Sequence, residues 1–384
     1  MKKEISIVMP CLNEAETLAV CIEKARDFLE KNQIQGEIII ADNGSQDGSQ
    51  AIAIKCGAIV VETQKKGYGE ALKAGFEKAS GQFIIMADAD NSYDFSALSA
   101  FVEKLRSGSD LVIGNRFKGG IQKNAMPFLH RYIGNPVLSF LGRLFFNSSI
   151  GDFHCGLRGF SAEAYQKLNL TTSGMEFASE MIVKAHLMNL KIIEVPTILY
   201  KDGRSRKPHL KTWSDGWRHL RFLLLYSPNW LFLIPGLLLM SIGLILSIAL
   251  ILSPIQLGKI TLDVHTLLYA SGFVISGFQF VVFYGLTKVF AVTQNLLPKS
   301  QRFNTVFKVI NLERGLILGL FMTLFGVGLS MYGLSIWSEK SFGHLESSQT
   351  LRIVIPAVTL SILGLQTILF SFFFSILGLK DEKN

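Results

Sequence analysis

The sequence predicts an α/β domain on a mostly parallel, Rossmann-like sheet, followed by an all-α region of four membrane-spanning helices. Three observations carry this reading. Short apolar runs alternate with amphipathic stretches over the first half of the chain, the pattern of strands and covering helices in a parallel sheet. Three of those runs end in carboxylates: Asn13-Glu14, Asp42 with Asp47, and Asp88-Ala89-Asp90. Beyond them lie four runs without Asp, Glu, Lys or Arg: Trp230–Leu252, Val264–Thr287, Gly315–Ser338 and Ile353–Leu379. Each exceeds the roughly 20 residues that cross a bilayer, and they help bring the hydrophobic share to 49%.

Taken in order, Ile5–Met9 reads as a first strand ending at Pro10, with Cys11–Glu16 opening a helix to Lys31. Ile38–Ala41 is a second strand. The Asp, Gly and Ser residues of 42–49 then make a turn and a helix start. Ala58–Glu62 is a third strand. The loop Lys65-Lys66-Gly67-Tyr68-Gly69 leads into a helix, its glycines permitting close backbone approach and its lysines offering charge to a phosphate. Phe83–Met86 and Leu111–Gly114 are the fourth and fifth strands, and Ile192–Val195 is a late edge strand. Open sheets of this kind bind ligands at the carboxyl ends of their strands, so the acids share one rim. An Asp-x-Asp there can hold Mg²⁺ or Mn²⁺ together with substrate phosphates. The plain alternative is that Glu14, Glu16 and Asp47 only cap helix N-termini.

Leu129, Ile133, Val137, Phe140 and Leu144 recur at helical spacing between Pro127 and Phe146, with Arg131, Asn135, Ser139 and Arg143 as a polar stripe and Pro136 as a kink. That helix suits either a membrane interface or an ordinary core. A second interfacial helix is expected over Thr212–Tyr226. The domains expected are a catalytic domain over 1–210, a juxtamembrane helix over 211–228, a four-helix region over 229–379 and a tail over 380–384. The loop between the second and third spans carries Lys288, Lys299, Arg302, Lys308 and Arg314 against Glu313. This places it, the Lys380–Asn384 tail and the catalytic domain on the cytoplasmic side. The start MKKEISIVMP does not read as a signal peptide. The net charge of +8 fits a bilayer surface better than nucleic acid, for which no module is visible. Cys11, Cys21, Cys56 and Cys155 lack metal or disulfide spacing and read as free thiols, and His154-Cys155 alone does not make a metal site.

Val8-Met9-Pro10-Cys11-Leu12-Asn13-Glu14, Asp42-Asn43-Gly44-Ser45-Gln46-Asp47-Gly48-Ser49, Gly67-Tyr68-Gly69-Glu70-Ala71 and Asp88-Ala89-Asp90 stand in the order seen in family 2 glycosyltransferases. Residues 4–225 resemble dolichol-phosphate-mannose synthase and the bacterial polyprenyl-phosphate glycosyltransferases. The resemblance implies a GT-A fold that takes a nucleoside-diphosphate sugar, with polyprenyl phosphate as acceptor and a divalent cation. It implies that Pro10, Glu14 and Asp42 hold the nucleoside and that Asp88 and Asp90 serve the metal and diphosphate. Asn13, Lys66, Gly67 and Ala89 complete the candidate donor site. Arg116, Arg131 and Asn135 are implied for the lipid phosphate, and Arg204-Ser205 for a lid over the diphosphate. Asp90 and Asp152 are the candidate catalytic residues, Arg158 would order the loop after Asp152, and Glu180 could point into the site. Two departures are Asn43, where the family often has Asp, and Ser92, where mannose synthases often carry Gln. A processive polysaccharide synthase is the competing enzyme class, but no Gln-x-x-Arg-Trp segment is present. A non-catalytic scaffold is the other alternative. The C-terminal spans could assemble a homo-oligomer, host the lipid tail or help flip the product.

Overall fold

The computed structural model describes residues 3–205, 212–293 and 312–378. Residues 206–211, Lys299, Arg302, Lys308 and the Lys380–Asn384 tail lie outside the described residues. The chain divides into two compact units, Met1–Tyr226 and Ser227–Asn384.

In the first unit the strands are β1 (Ile5–Cys11), β2 (Gly36–Asp42), β3 (Ile59–Glu62), β4 (Phe83–Met86), β5 (Leu111–Asn115), β6 (Arg158–Ser161) and β7 (Ile192–Pro196). They form one seven-stranded sheet in the order β3-β2-β1-β4-β6-β5-β7. β1 pairs in parallel with β2 and β4, and β2 with β3. Four carboxyl ends therefore share a rim, as the apolar runs of Val, Ile and Met predict for strands buried on both faces. β6 runs antiparallel between β4 and β5 and was not anticipated. Its sequence, Arg-Gly-Phe-Ser, has no apolar run.

Helices α1 (Leu18–Lys31), α2 (Ser49–Lys55), α3 (Tyr68–Lys78) and α4 (Ser99–Arg106) link the strands. α1 starts later than expected because Asn13 adopts a left-handed backbone, φ 59°, and holds residues 12–17 as a loop. α5 (Arg116–Gly119), α6 (Asn135–Phe146), α7 (Ala162–Leu168), α8 (Phe177–Leu187) and α9 (Thr212–Leu225) complete the unit. Glu37, buried on β2, accepts from Lys3 Nζ, Ser6 Oγ, Ser80 N and Ser80 Oγ. Burial alone would raise its pKa; those bonds outweigh it and bring it to about 2. A depressed carboxylate contributes stability above its unfolded pKa, near 4.5, that is lost as pH falls toward 2. Glu37→Gln is therefore expected to cost about 3 kcal/mol at pH 7 and much less near pH 2, as read by denaturant midpoints across that range.

α6 is preceded by a π-helical turn, His130–Gly134. The wide turn accommodates Pro136, which has no N–H to donate and whose ring would crowd a regular α-turn. Phe128, Tyr132, Ile133, Val137, Phe140 and Leu144 are exposed, Phe128 to 71%. Ser139 of the polar stripe is fully buried and accepts from Phe153 N, while Arg131, Asn135 and Arg143 are half-buried. The helix thus wears its apolar face outward. On α9, Trp213 and Trp217 are exposed while Phe222 and Leu223 pack with Phe146 and Val183.

The second unit contains four helices long and apolar enough to cross a membrane: Asn229–Leu252, Val264–Thr293, Leu312–Glu339 and Ser348–Leu377. Their α-helical bodies are α10 (Ile234–Leu252), α11 (Val264–Thr293), α12 (Leu312–Glu339) and α13 (Ser347–Gly378). Gly236 and Gly243 of α10 lie against Gly277 and Ala270 of α11. Gly319 and Gly326 of α12 lie against Gly364 and Ala357 of α13. Small residues let helix backbones approach closely where lipid offers no hydrophobic drive. α11 and α13 meet through Phe278, Phe283 and Phe370.

Candidate active site

The rim is built by three loops that hydrogen bonds tie together. After β1, Asn13 N donates to Ser45 Oγ at 2.8 Å and Asn13 Oδ1 accepts from Gln46 N at 2.7 Å. Glu14 N donates to Ser49 Oγ at 2.9 Å and Ala15 N to Asp47 Oδ2 at 2.9 Å. Asp47 also accepts from Ser49, so it braces the two loops. Pro10 is half-buried at the end of β1.

Asp42 is fully buried. Its Oδ2 accepts from Gly44 N, Ser45 N and Gln50 Nε2. Burial works against its charge, but these bonds prevail and hold the carboxyl below its ordinary pKa. Its Oδ1 is buried without a hydrogen-bond partner, an acceptor left open for a ligand N–H. Asn43 acts as a bracket, donating from Nδ2 to Lys65 O at 2.8 Å and accepting from Gly67 N at 2.9 Å. An aspartate could make only the second bond. The departure at this position thus ties the end of β2 to the Lys-Gly loop. Gly67 has φ 141°, and a Cβ on it would stand 2.3 Å from Ser173 O. Lys66 is exposed beside it.

Asp88 Oδ1 accepts from Tyr68 Oη at 3.1 Å. Beside its Oδ2 lies Gly156, where a Cβ would approach to 2.6 Å. Burial first, and the charge of Asp90 second, push the Asp88 carboxyl up to about 7. The Ala89 carbonyl accepts from Thr17 Oγ1 and Cys21 Sγ, anchoring the acidic loop on α1. Asp90 is buried; its Oδ1 accepts from Ser92 N at 3.0 Å and its Oδ2 from Arg204 Nη2 at 2.8 Å. Hard carboxylate oxygens that outnumber the one arginine beside them fit Mg²⁺ or Mn²⁺. Among the described residues no group of three or more His, Cys, Asp or Glu could hold a metal. A cation on Asp88 and Asp90 would therefore need oxygens from outside the chain, as phosphates supply.

A strap crosses this rim. Tyr200 N donates to Ser92 O and Gly203 N to Asp90 O. Arg204 reaches Glu14, Asp90 and Asp202, while Ser205 donates from N and Oγ to the two carboxylate oxygens of Glu16. Glu16 thus seats the strap, and α1 has no side-chain cap at all.

Arg116 and Asp152 form a buried two-pronged pair. Nε donates to Oδ2 at 2.7 Å and Nη2 to Oδ1 at 2.8 Å, with Arg116 N and His154 N also donating to the carboxylate. Glu194 of β7 accepts from Gly151 N, Asp152 N and Asn115 Nδ2 and fixes the loop that carries Asp152. Arg131 lies over its neighbour Tyr132, and Asn135 donates to Met126 Sδ. Neither joins the Arg116–Asp152 pair or the acidic rim in a hydrogen bond or ion pair among the described residues. Arg158, fully buried, donates to the carbonyls of Cys155, Phe153 and Ala178. Glu180 does not enter the site: it is buried against Lys184, Thr171 and Thr172, where five hydrogen bonds from the threonines hold it. Sequence reasoning missed Thr17, Tyr68, Asp202 and Glu194. Tyr68 stands between Gly67 and Gly69 of the glycine loop, but its bond to Asp88, like the contacts of the other three, is visible only in the fold.

A mostly parallel sheet, an acidic rim at its strand ends and four apolar helices beyond it define a GT-A transferase domain joined to a membrane region. The description "Glycosyl transferase family 2" matches residues 6–168, and "Glycosyltransferase family 2 C-terminal transmembrane region" matches residues 285–378. The low-salt glycan biosynthesis hexosyltransferase Agl6 of Haloferax volcanii is 36% identical over 97% of this chain and 89% of its own length. The chain belongs to glycosyltransferase family 2 and is an integral membrane protein. A dolichol-phosphate mannosyltransferase of Pyrococcus furiosus is 29% identical over 50% of this chain and 55% of its own length. The dolichyl-phosphate hexose transferase of H. volcanii is 26% identical over 50% and 81%. Among solved structures, glucosyl-3-phosphoglycerate synthase from Mycobacterium tuberculosis, in complex with Mg²⁺ and UDP, overlays with a TM-score of 0.48. It is 21% identical over 59% of this chain and 79% of that one.

Proposed function

We propose that this glycosyltransferase moves one hexose from a UDP- or GDP-linked donor to a polyprenyl phosphate at the cytoplasmic face of the membrane. The observation that carries the lipid acceptor is the outward apolar face of Phe128–Leu144, with the polar stripe turned toward the domain. A soluble domain has no use for six exposed large hydrophobic side chains on one helix, whereas a bilayer interface does. The relatives that act on dolichyl phosphate support the same reading.

Asp42 Oδ1 would accept from the base, Glu14 would face the ribose, and Lys66 with the Gly67 backbone would meet the diphosphate. When bound to Asp88 and Asp90, Mg²⁺ or Mn²⁺ would supply charge to stabilise the leaving diphosphate. A phosphate monoester has a second pKa near 6, so the acceptor is largely ionised and needs little general-base help. Its difficulty is approach to another polyanion. Arg116 would offset that repulsion, with Arg131 and Asn135 on the helix behind it. Asp152 is a positioning residue here, since both of its oxygens are committed to Arg116.

The test is direct. The purified chain in detergent receives dolichyl or undecaprenyl phosphate and a panel of labelled nucleotide sugars, with Mg²⁺, Mn²⁺ or chelator. Metal-dependent label in the lipid fraction from one donor is the expected result. Label only in a water-soluble polymer would overturn the lipid acceptor.

A further inference from the structure

The guanidinium of Arg204 sits among three carboxylates. Nη1 is 3.1 Å from Glu14 Oε1, Nη2 is 2.8 Å from Asp90 Oδ2, and Asp202 Oδ2 lies 3.1 Å from Nη2 and 3.2 Å from Nε. The arginine side chain is 13% exposed. With Ser92 N on the other oxygen of Asp90, that carboxylate has both oxygens engaged while Arg204 stays. The strap is tethered on either side of the arginine, by Gly203 to Asp90 O and by Ser205 to Glu16. A guanidinium and a divalent cation on the same carboxylate oxygen repel one another in a partly buried site, so the arginine weakens the cation's hold there.

We propose that Arg204 is a built-in counter-ion that occupies Asp90 in the donor-free enzyme and yields it only when cation and nucleoside diphosphate arrive together. This rests on the reading of the rim as a nucleoside-diphosphate-sugar site. The diphosphate is what makes the exchange favourable. It offers the planar fork of Arg204 a new anion for two parallel hydrogen bonds, so the arginine changes partner without losing one. A cation alone offers nothing in return. Cation and nucleotide therefore strengthen one another by the same factor, as linkage requires. Asp202, which holds Arg204 through Nε and Nη2, is a positioning residue for the closed state.

The experiment measures Mn²⁺ binding to the full chain in detergent by the electron paramagnetic resonance of free Mn²⁺, with and without UDP or GDP. Wild-type protein should bind Mn²⁺ weakly alone and at least tenfold more tightly with one of the nucleotides. Arg204→Gln should bind Mn²⁺ alone roughly tenfold more tightly than wild type, equivalent to about 1.4 kcal/mol, and lose most of the nucleotide enhancement. Asp202→Asn should move the same way by a smaller factor, and Arg204→Lys, which keeps the charge, should stay nearer wild type. Thermal unfolding of each variant separates these shifts from misfolding. An unchanged or weaker Mn²⁺ affinity in a folded Arg204→Gln protein overturns the inference, while nucleotide-dependent Mn²⁺ binding by wild type leaves the donor reading standing. A wild type that takes up no Mn²⁺ with either nucleotide overturns both.

Discussion

Replacing Arg116 with alanine is expected to destabilise the α/β unit by about 3–5 kcal/mol, the cost of breaking a buried ion pair from one side. Asp152 is fully buried, and its two oxygens face the guanidinium. Without it, a carboxylate remains in a low-dielectric site with only backbone donors. Asp152→Ala leaves the converse problem, an arginine without its anion. The double variant Arg116→Met/Asp152→Leu should recover much of the loss, because apolar groups of similar volume often replace a buried pair at little cost. A denaturant series on wild type, Arg116→Met, Asp152→Leu and the double variant closes the cycle. Its coupling term isolates the pair from the packing around it. Transfer to the lipid acceptor should stay lost in the double variant, because the guanidinium proposed to meet the acceptor phosphate is gone. A loss below about 1 kcal/mol in Arg116→Ala would mean the pair is not the closed, dry contact that the geometry describes.

The second large effect belongs to Asp88. Burial and the neighbouring Asp90 oppose its charge and push its carboxyl up, to about 7. A cation must therefore displace a proton below that pH. Apparent Mn²⁺ affinity, measured with nucleotide present, should fall about tenfold per pH unit below 7 and level off above it. Asp88→Asn should flatten the profile and lower transfer at least ~100-fold. The same shift sets the pH dependence of folding. The folded pKa lies above the unfolded value of 3.8, so between roughly pH 4 and 7 the folded state binds more protons. Relative to Asp88→Asn, the donor-free enzyme should accordingly lose stability as pH rises through that window. Mn²⁺ with nucleotide should restore more at pH 8 than at pH 5.5. A thermal shift that does not change with pH would contradict the assignment.

The parallel half of the sheet was legible because β1, β2 and β4 are short apolar runs, and the rim was legible because each ends in carboxylates or their amides. β6 was not. Its first residue, Arg158, reads as ordering the loop after Asp152, and only the fold reveals three backbone carbonyls converging on it inside a strand. The periodicity of residues 129–144 was visible, but period alone does not say which face is buried. Here Ser139 and Gly142 turn inward and the large apolar side chains outward, the reverse of an ordinary amphipathic helix. In the site, Glu14, Asp90, Asp152, Arg116 and Arg204 were each singled out, but the pairing among them was not. Arg204 stands 114 residues from Asp90 and 190 from Glu14, and no local pattern links them. Glu180 was placed wrongly because a glutamate in the first turn of α8 has the same sequence appearance whether it faces a ligand or a threonine pair.

Gly236 and Gly243 in α10, and Gly319, Gly326 and Gly333 in α12, recur every seventh residue on the buried sides of their helices. A seven-residue repeat keeps one seam facing its partner through a gentle left-handed supercoil. Each seam joins helices adjacent in sequence, α10 with α11 and α12 with α13. The residues that must find each other are thus local in sequence, about 30 residues apart between Gly243 and Ala270 or between Gly326 and Ala357. Closing loops of that length carries a small entropic penalty. The membrane region is therefore built to assemble from two locally nucleated hairpins, with damage to one seam confined to the early folding of its own pair and the aromatic contacts at Phe370 left as the later, docking step.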